Sequence, residues 1–341
     1  MSHRPSPKNV GLVGATGLVG EFMLSILAER GFPVKTLRLF ASERSAGRTL
    51  RWKDREIAVE DAAKADYAGL DVVFFSAGGS TSKALAPKAA SAGAIVIDNS
   101  SAWRGDPQVP LVVAEVNPHA LKDIPKGIIA NPNCTTMAAM PVLKPLHEAA
   151  GLKRMIASTY QAVSGAGLAG IQELEAQVHA AGRESARLAR KGEALNLGPR
   201  KKWPVPIGFN VVPLNYVYVE DGYTEEELKL RDESRKILEI PDLMVSGTSV
   251  RVPVYTGHAI SINATFERPL PPEQALAILN KAPGVVVTDV PNPLDATGRD
   301  PVFVGRVRKD PTVAHGLAMF VVGDNLRKGA ALNAVQVAEL L

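Results

Sequence analysis

The feature that most constrains the fold is an apolar strand at the start of the chain that runs into a glycine-rich turn and a helix. Residues 9–13 read Asn-Val-Gly-Leu-Val, and residues 14–20 read Gly-Ala-Thr-Gly-Leu-Val-Gly. The following helix is apolar at Phe22, Met23 and Ile26. Glycines let a backbone approach a pyrophosphate closely, and a helix N-terminus offers N–H donors. The segment therefore predicts a βαβ dinucleotide-binding unit within a doubly wound α/β sheet.

The second predicted strand, residues 36–40, ends in a turn that bears on the choice of cofactor. Ser42, Arg44 and Ser45 offer a guanidinium and hydroxyls to a 2′-phosphate, which favours NADP. Glu43 is an acid in the same turn, and a solvated loop charge is the alternative interpretation of Arg44. The turn indicates NADP without excluding NAD.

Two further strands, residues 71–75 and 95–98, end in small polar loops. Ligands of open α/β sheets bind at the carboxyl ends of such strands. Arg104, in the loop after the second of them, is therefore a candidate anion contact. The alternative is a solvated surface arginine.

The only cysteine of the 341 residues lies in Asn131-Pro132-Asn133-Cys134-Thr135-Thr136, between an apolar strand over 127–130 and a helix predicted over 135–147. A helix N-terminus favours a thiolate, so Cys134 is a candidate nucleophile. The alternative is a buried structural thiol. A single cysteine excludes an internal disulfide and a multi-cysteine zinc site, and the six histidines are scattered, so we expect no metal.

The second half of the chain has a different pattern. A strand over 153–161 precedes a long helical stretch predicted over 168–191, and strands follow over 244–255, 259–267, 300–307 and 316–322. Successive strands joined by short turns indicate an antiparallel, α+β domain.

Two residues of these strands could complete the chemistry of a thiol. Arg251 alternates with valines, which predicts a guanidinium that faces away from the packed side of its strand and suits a carboxylate. His258, beside a glycine turn, is the most plausible base, with a structural histidine as the alternative. Glu226 and Lys229 lie three apart on a predicted helix and by themselves indicate surface charges.

Composition excludes some classes of function. A net charge of +4 is mild, and the basic stretch over 183–202 lacks the interleaved aromatic residues of a nucleic-acid site, so a solvated helix face is favoured over nucleic-acid binding. Residues 1–8 lack the apolar core of a signal peptide, and no apolar run approaches the ~20 residues of a membrane span. We expect a cytoplasmic protein with no membrane contact.

Taken in order, these motifs resemble those of aspartate-β-semialdehyde dehydrogenase, in the form common in Gram-positive bacteria and their relatives. The segments that carry the resemblance are residues 13–20, 42–47, 100–104, 131–136, 160–167, 250–254, 257–258 and 323–331. The resemblance spans essentially the whole chain. It implies a Rossmann-like NADP-binding domain of residues 1–133 plus 326–341. It also implies an α+β catalytic and dimerisation domain of residues 134–325, with a mainly antiparallel sheet.

The resemblance also implies residue roles: Cys134 as the nucleophile, His258 as the acid/base and Gln161 as the residue that positions the substrate and acyl group. Arg251 would bind the substrate carboxylate and Glu226 would lie near the amino group. The full implied substrate set is Arg104, Asn133, Gln161, Glu226, Lys229 and Arg251, with Arg104 and Lys229 on the phosphate. The implied NADP contacts are Thr16, Gly17, Leu18, Val19, Ser42, Arg44, Ser45, Ser164, Gly165 and Asn325.

The implied reaction is the NADP-dependent reductive dephosphorylation of L-aspartyl-β-phosphate to L-aspartate-β-semialdehyde through a cysteine thioester, in lysine, threonine, methionine and diaminopimelate biosynthesis. The implied assembly is a homodimer or homotetramer. The alternatives are an N-acetyl-γ-glutamyl-phosphate reductase, a malonyl-CoA reductase of the same superfamily, and a non-catalytic paralogue. The spacing of Arg251 and His258, with Glu226 and Lys229 upstream, favours the aspartyl substrate. A paralogue without activity should have lost one of Cys134, Gln161, Arg251 and His258, and all four are present.

Overall fold

The computed structural model describes residues 6–341, which form two compact units. The first unit contains the chain up to Lys144 together with Asp232–Asp242 and Leu326–Leu341, and the second contains Pro145–Arg231 and Leu243–Asn325. The boundaries differ from the expected ones at residues 134–144 and 232–242, which belong with the first unit. Of the N-terminal segment used to judge a signal peptide, residues 1–5 lie outside the described residues.

The described residues contain thirteen strands and eight α-helices. The strands are β1 (Lys8–Val13), β2 (Val34–Ala41), β3 (Thr49–Trp52), β4 (Arg55–Asp61), β5 (Val72–Phe75), β6 (Ile95–Asp98), β7 (Ile128–Ala130), β8 (Leu152–Gln161), β9 (Met244–Arg251), β10 (His258–Phe266), β11 (Val285–Val287), β12 (Val302–Asp310) and β13 (Gly316–Gly323). The helices are α1 (Leu18–Glu29), α2 (Gly79–Ser91), α3 (Cys134–Ala150), α4 (Leu168–Ala181), α5 (Glu225–Leu238), α6 (Pro272–Leu279), α7 (Pro293–Ala296) and α8 (Leu332–Glu339).

The first unit is built on a seven-stranded sheet in the order β3-β4-β2-β1-β5-β6-β7. All its pairs are parallel except β3 with β4. Leu12, Phe74 and Ile97, on three neighbouring strands, are fully buried, as a parallel sheet covered on both faces requires. The order places the carboxyl ends of β1, β2 and β5 at one edge, which confirms the doubly wound prediction.

The turn between β1 and α1 requires glycine at position 14, and the first turn of α1 requires it at position 20. Gly14 has φ +88°, and a Cβ there would lie 2.3 Å from the carbonyl oxygen of Ser76. A Cβ on Gly20 would lie 2.4 Å from the carbonyl oxygen of Gly14. Because both obstacles are backbone atoms, side chains at these positions would push the turn away from the sheet.

The second unit is built on a six-stranded sheet in the order β11-β12-β13-β10-β8-β9. The three central pairs are antiparallel, and the outer pairs, β11 with β12 and β8 with β9, are parallel. The prediction of a mainly antiparallel α+β domain is therefore confirmed. In the parallel pair β8–β9, Gln161 is the register partner of Arg251.

Two elements end earlier than predicted. The helix predicted over 168–191 ends at Ala181, where Gly182 has φ +49° and a 3₁₀ segment, Gly182–Ala189, follows. Strand β9 ends at Arg251, two residues before Pro253, which has no N–H for a ladder. The C-terminal helix has a π-helical first turn, Arg327–Ala331. Within residues 6–341, no helix combines the length and apolarity of a membrane span.

Candidate active site

The predicted site residues fall into two sets, one in each unit. In the first unit, a cavity of about 670 Å³ opens at the carboxyl ends of the parallel strands. Its wall includes Gly14, Thr16 and Gly17 from the glycine turn and Ser42 and Glu43 from the turn after β2. Its volume is in the range of small-molecule and cofactor sites. The cavity and the glycine turn fit the diphosphate and ribose of a dinucleotide.

The remaining predicted cofactor residues of the first unit do not line this cavity. Leu18 and Val19 begin α1 and are half-buried, Ser45 is half-buried and Arg44 is exposed. Lys64, which sequence reasoning did not select, does line the cavity, and its Nζ lies 2.7 Å from a carboxylate oxygen of Glu43. Glu43, in the turn after β2, therefore forms an ion pair with a lysine from the loop after β4.

Cys134 is the first residue of α3 and is partly exposed, as the prediction of a helix N-terminus required. Asn133 caps this helix. Its side-chain oxygen accepts the N–H of Thr135 at 2.9 Å, and its backbone carbonyl accepts the N–H of Met137 at 2.9 Å. The cap fixes the direction in which the chain enters the helix at the thiol.

The loop before Cys134 is anchored through Asn131. Its side-chain nitrogen donates to the Asn99 side chain at 2.6 Å and to the Ala330 carbonyl at 2.9 Å, while its side-chain oxygen accepts from Asn333 at 2.6 Å. Its carbonyl oxygen accepts from Nε of Arg104 at 2.9 Å. The C-terminal segment thus holds the cysteine loop, a contact that sequence spacing does not reveal.

Arg104 is not a solvated surface arginine, so that alternative is wrong. Its side chain is 11% exposed, and Nη2 donates to the Asn99 carbonyl at 2.8 Å. Nη1 donates at 3.0 Å to Glu233, on the half of α5 that belongs to the first unit. These contacts hold a cation beside the loop that leads to Cys134. Its role as an anion contact remains a prediction.

In the second unit, His258 is fully buried at the start of β10. Its Nδ1 accepts the backbone N–H of Ala162 at 3.0 Å, which places the hydrogen of the neutral ring on Nε2. Nε2 is buried and has no hydrogen-bond partner among the described residues. Burial, and then the charge of Arg251, hold the pKa of His258 well below its usual range, while a hydrogen bond to the Gly257 backbone opposes them. The ring is therefore neutral near pH 7.

Arg251 lies inside the second unit, so the prediction that its guanidinium faces away from the packed side is wrong. Arg251 is 3% exposed, and the backbone of Val212 pairs with that of Arg251 along the outer edge of β9. The guanidinium donates from Nη1 to the Ala162 carbonyl at 2.7 Å and from Nε to the Asn215 side chain at 3.0 Å. These two hydrogen bonds fix the position of the Arg251 guanidinium.

Asn215 joins Arg251 to the other predicted substrate residues. Its side-chain nitrogen donates to Oε1 of Gln161, and Nε2 of Gln161 donates to Glu226 at 2.9 Å. Glu226 is 3% exposed, and its other oxygen lies 3.7 Å from Nζ of Lys229. The structure therefore brings Arg251, Gln161, Glu226 and Lys229 into one polar chain, which contradicts the interpretation of Glu226 as a surface charge.

The loop after β8 carries Ser164 and Gly165, two of the residues expected to contact NADP. Asn325 donates to the Ser164 hydroxyl at 2.9 Å and accepts the N–H of Gly257 at 2.9 Å. A Cβ on Gly165 would lie 2.7 Å from Nη1 of Arg251 and 3.1 Å from Nε2 of His258. A side chain at this position would therefore displace both of those groups.

Sequence reasoning missed three residues of these arrangements. Asn215 lies in an irregular stretch with no periodicity, and Lys64 lies in the loop after β4. Glu233 could have been found by continuing the three- and four-residue spacing of Glu226 and Lys229 along α5. Across residues 6–341 there is no group of three or more His, Cys, Asp or Glu side chains that could hold a metal ion.

Two family models match the chain. The semialdehyde dehydrogenase NAD-binding domain matches residues 9–124, and the semialdehyde dehydrogenase dimerisation domain matches residues 143–328. Together they cover the glycine turn and most of the second unit.

Individual proteins match along almost the whole length. The aspartate-semialdehyde dehydrogenase of Streptomyces akiyoshiensis is 62% identical over 97% of this chain and 98% of that protein. The crystal structure of aspartate semialdehyde dehydrogenase II from Vibrio cholerae, complexed with ASA, has a TM-score of 0.92 and 43% identity, covering 99% of this chain and 98% of that one. The Candida albicans enzyme, solved with NADP, has a TM-score of 0.76 and 27% identity over 98% of both chains. With its nicotinamide-binding domain and its lone cysteine at the start of α3, this chain belongs to the aspartate-semialdehyde dehydrogenase family of oxidoreductases.

Proposed function

We propose that this enzyme converts L-aspartyl-β-phosphate to L-aspartate-β-semialdehyde, with NADPH as reductant and Cys134 as the nucleophile. The observation that carries the proposal is the only cysteine of the chain at the first position of α3, behind an asparagine cap. The N–H groups and the dipole of a helix start favour the thiolate, which is the nucleophilic form. The Vibrio cholerae relative solved with ASA supports the choice of substrate.

The chemistry is a covalent group transfer followed by a reduction. The thiolate Sγ of Cys134 bonds to the β-carbonyl carbon, the carbon–oxygen bond to phosphate breaks, and phosphate leaves with the electron pair. NADPH, when bound, supplies the hydride that reduces the thioester. Collapse of the resulting thiohemiacetal breaks the carbon–sulfur bond, which releases the aldehyde and restores the thiolate. Aspartyl phosphate, NADPH and a proton thus become aldehyde, NADP⁺ and phosphate.

His258 acts from Nε2, the ring atom that has no hydrogen-bond partner within residues 6–341. From there it can donate a hydrogen bond to the substrate oxygen as negative charge develops and shuttle the proton that balances the reaction. Because its pKa is held below the usual range, the ring is neutral at working pH and does not oppose the cationic Arg251.

The polar chain of the second unit provides a substrate clamp. Arg251 would bind the carboxylate, Glu226 would face the amino group, and Gln161 would orient the acyl group. Because Asn215 links Arg251 to Gln161, the clamp is preorganised before the substrate arrives. Arg104 and Lys229 would bind the phosphate, and Asn133 would contact the substrate.

We propose NADP rather than NAD as the cofactor, held by Thr16, Gly17, Leu18, Val19, Ser42, Arg44, Ser45, Ser164, Gly165 and Asn325. The ion pair of Glu43 with Lys64 supports this choice, since the acid of the turn is already paired and the cation Lys64 lines the cavity. The Candida albicans relative was solved with NADP. The pairing of Glu43 and the presence of Lys64 at the cavity both favour a 2′-phosphate over a free 2′-hydroxyl.

We also propose that two copies assemble through the second unit. The match to a dimerisation domain over residues 143–328 supports this. So does a set of exposed apolar side chains in the same range, which includes Val211, Tyr216, Val217, Tyr218 and Met244. A homotetramer and a cytoplasmic location remain predictions. Light scattering of the purified protein would measure the assembly.

The test is nicotinamide reduction by the purified protein with L-aspartate-β-semialdehyde, with and without phosphate, and with NADP and NAD in parallel. N-acetylglutamate semialdehyde is the matched control. We expect phosphate-dependent reduction of NADP with the aspartyl aldehyde alone, because the clamp holds groups for a free amine and a carboxylate. Activity only on the acetylated aldehyde would overturn the substrate and keep the thiol chemistry. No activity on either, from protein that binds NADPH, would support the non-catalytic paralogue.

A further inference from the structure

Glu233 is a buried carboxylate of the first unit, and the proposed reaction does not use it. Its side chain is 3% exposed. One oxygen accepts from Nη1 of Arg104 at 3.0 Å, and the other accepts the backbone N–H of Asn133 at 2.6 Å. A single side chain thus holds the guanidinium expected to bind phosphate and the residue that precedes Cys134.

The element that carries Glu233 is itself fixed to the loop of Arg104. One turn further along α5, Nζ of Lys236 donates to the carbonyl oxygens of Arg104, Asp106 and Val109, at 2.9, 2.7 and 2.8 Å. Three carbonyl acceptors fix the position of the Lys236 ammonium group, and they also fix the position of α5, which carries it. Glu233 therefore presents its two oxygens from a rigid support.

We propose that Glu233 is a positioning residue that sets the geometry of phosphate binding by clamping Arg104 and the backbone N–H of Asn133 together. The inference rests on the proposed function, because it needs Arg104 to bind phosphate next to the thiol. Two observations carry it: the two carboxylate oxygens accept from donors on different loops, and one donor belongs to Arg104, expected on the phosphate, while the other belongs to Asn133, which directly precedes Cys134.

Burial explains why a carboxylate is needed at this position. A buried charge is costly unless it is paired and hydrogen-bonded, and here an arginine and an amide N–H supply both conditions. A glutamine would offer only one oxygen, so one of the two donors would face an NH₂ group. The guanidinium or the Asn133 backbone would then move, and a misplaced binding group lowers affinity and rate.

The experiment compares the wild-type enzyme with Glu233→Gln in the direction of aldehyde oxidation. Glu239→Gln is the matched control, since that residue is an exposed glutamate beyond the end of α5, paired with His119. KM is measured separately for inorganic phosphate, aspartate semialdehyde and NADP. We expect KM for phosphate to rise about tenfold in Glu233→Gln while the other two stay unchanged. An equal rise in all three, or none, would overturn the inference.

A double-substitution cycle distinguishes positioning through Arg104 from general damage. In an Arg104→Lys background the guanidinium that Glu233 orients is absent, so adding Glu233→Gln should have little further effect on KM for phosphate. Independent, additive effects would contradict the proposal. Glu233→Asp, which keeps the charge but shortens the reach, provides a second variant if the glutamine variant does not fold, and we expect the same phosphate-specific rise.

A readout without turnover separates this inference from the proposed function. Inorganic phosphate should slow the alkylation of Cys134 by iodoacetamide in the wild-type protein, and Glu233→Gln should require about ten times more phosphate for equal protection. A wild-type protein that shows this protection but no aldehyde oxidation would overturn the proposed function and leave the clamp standing. Equal protection in both proteins would overturn the clamp alone.

Discussion

The region around Cys134 and the polar chain of the second unit are organised in opposite ways. Around the cysteine, six consecutive residues supply the anchor, the turn, the helix cap and the thiol. The polar chain takes its side chains from β8, the loop at 215, α5 and β9, which are far apart in sequence. The helix cap and the thiol of the first region are local, although Asn131 is anchored by distant residues, whereas every link of the polar chain except the one between Glu226 and Lys229 depends on the tertiary fold.

This difference separates the chemical roles of the two regions. A helix start can activate a thiol with local structure alone. Selecting a small substrate with an amine and a carboxylate requires opposite charges held at a fixed separation, and buried hydrogen bonds provide that fixed separation. Changes around the cysteine should therefore affect the existence of the reaction, and changes in the polar chain should affect its efficiency.

Cys134→Ala should give the largest effect. The first bond of the proposed reaction forms at Sγ, so we expect turnover to fall at least about 10³-fold. NADPH binding, followed by fluorescence titration, should persist, because the cavity lined by the glycine turn does not include Cys134. A variant that keeps most of its turnover would show that the local region does not carry the chemistry.

Asn215→Ala should give the next effect. It removes the side chain shared by Arg251 and Gln161, and we expect kcat/KM for aspartate semialdehyde to fall about 100-fold. Asn210→Ala is the matched control, since that asparagine is exposed and bonds only within its own loop. Equal kinetics of the two variants would show that the polar chain does not preorganise the clamp.

Gly165→Ala tests the same region by adding an atom rather than removing one. The new Cβ would press on Arg251 and His258, and we expect kcat/KM to fall about tenfold. Gly192→Ala serves for comparison, because nothing lies within 4 Å of a Cβ there and its φ is not positive. Steady-state kinetics of both variants measure the difference, and an active Gly165→Ala enzyme would mean that the pair tolerates displacement.

The smallest effect concerns stability and pH. The pKa of His258 is held low in the folded protein by burial and by Arg251, whereas an unfolded histidine titrates near its ordinary value. As pH falls from 7.5 to 5.5 the unfolded chain gains a proton that the folded one excludes, so stability is lost. Urea unfolding should show that the wild-type protein loses about 1 kcal/mol more than His258→Asn over this interval. An equal loss would mean that the buried ring accepts the proton.

The sequence predicts the local region well and the dispersed one poorly, for the same physical reason. The strand, turn and helix around Cys134 are set by near neighbours, so Asn131, Pro132 and Asn133 predict them directly. Glu226 and Lys229 have the spacing of ordinary surface charges, and only packing buries Glu226 and covers most of the Lys229 side chain. Asn215 and Glu233 act through partners more than 30 residues away, a relation that no local pattern contains.

Trapping the acyl-enzyme tests the central claim most directly. The protein is mixed with freshly prepared L-aspartyl-β-phosphate in the absence of any nicotinamide cofactor, quenched with acid and analysed by intact-mass and peptide mass spectrometry. We expect one aspartyl group per chain, attached to the peptide that contains Cys134, and none in Cys134→Ala. An unmodified wild-type protein that nevertheless reduces aspartyl phosphate when NADPH is added, or an aspartyl group on another residue, would contradict the account.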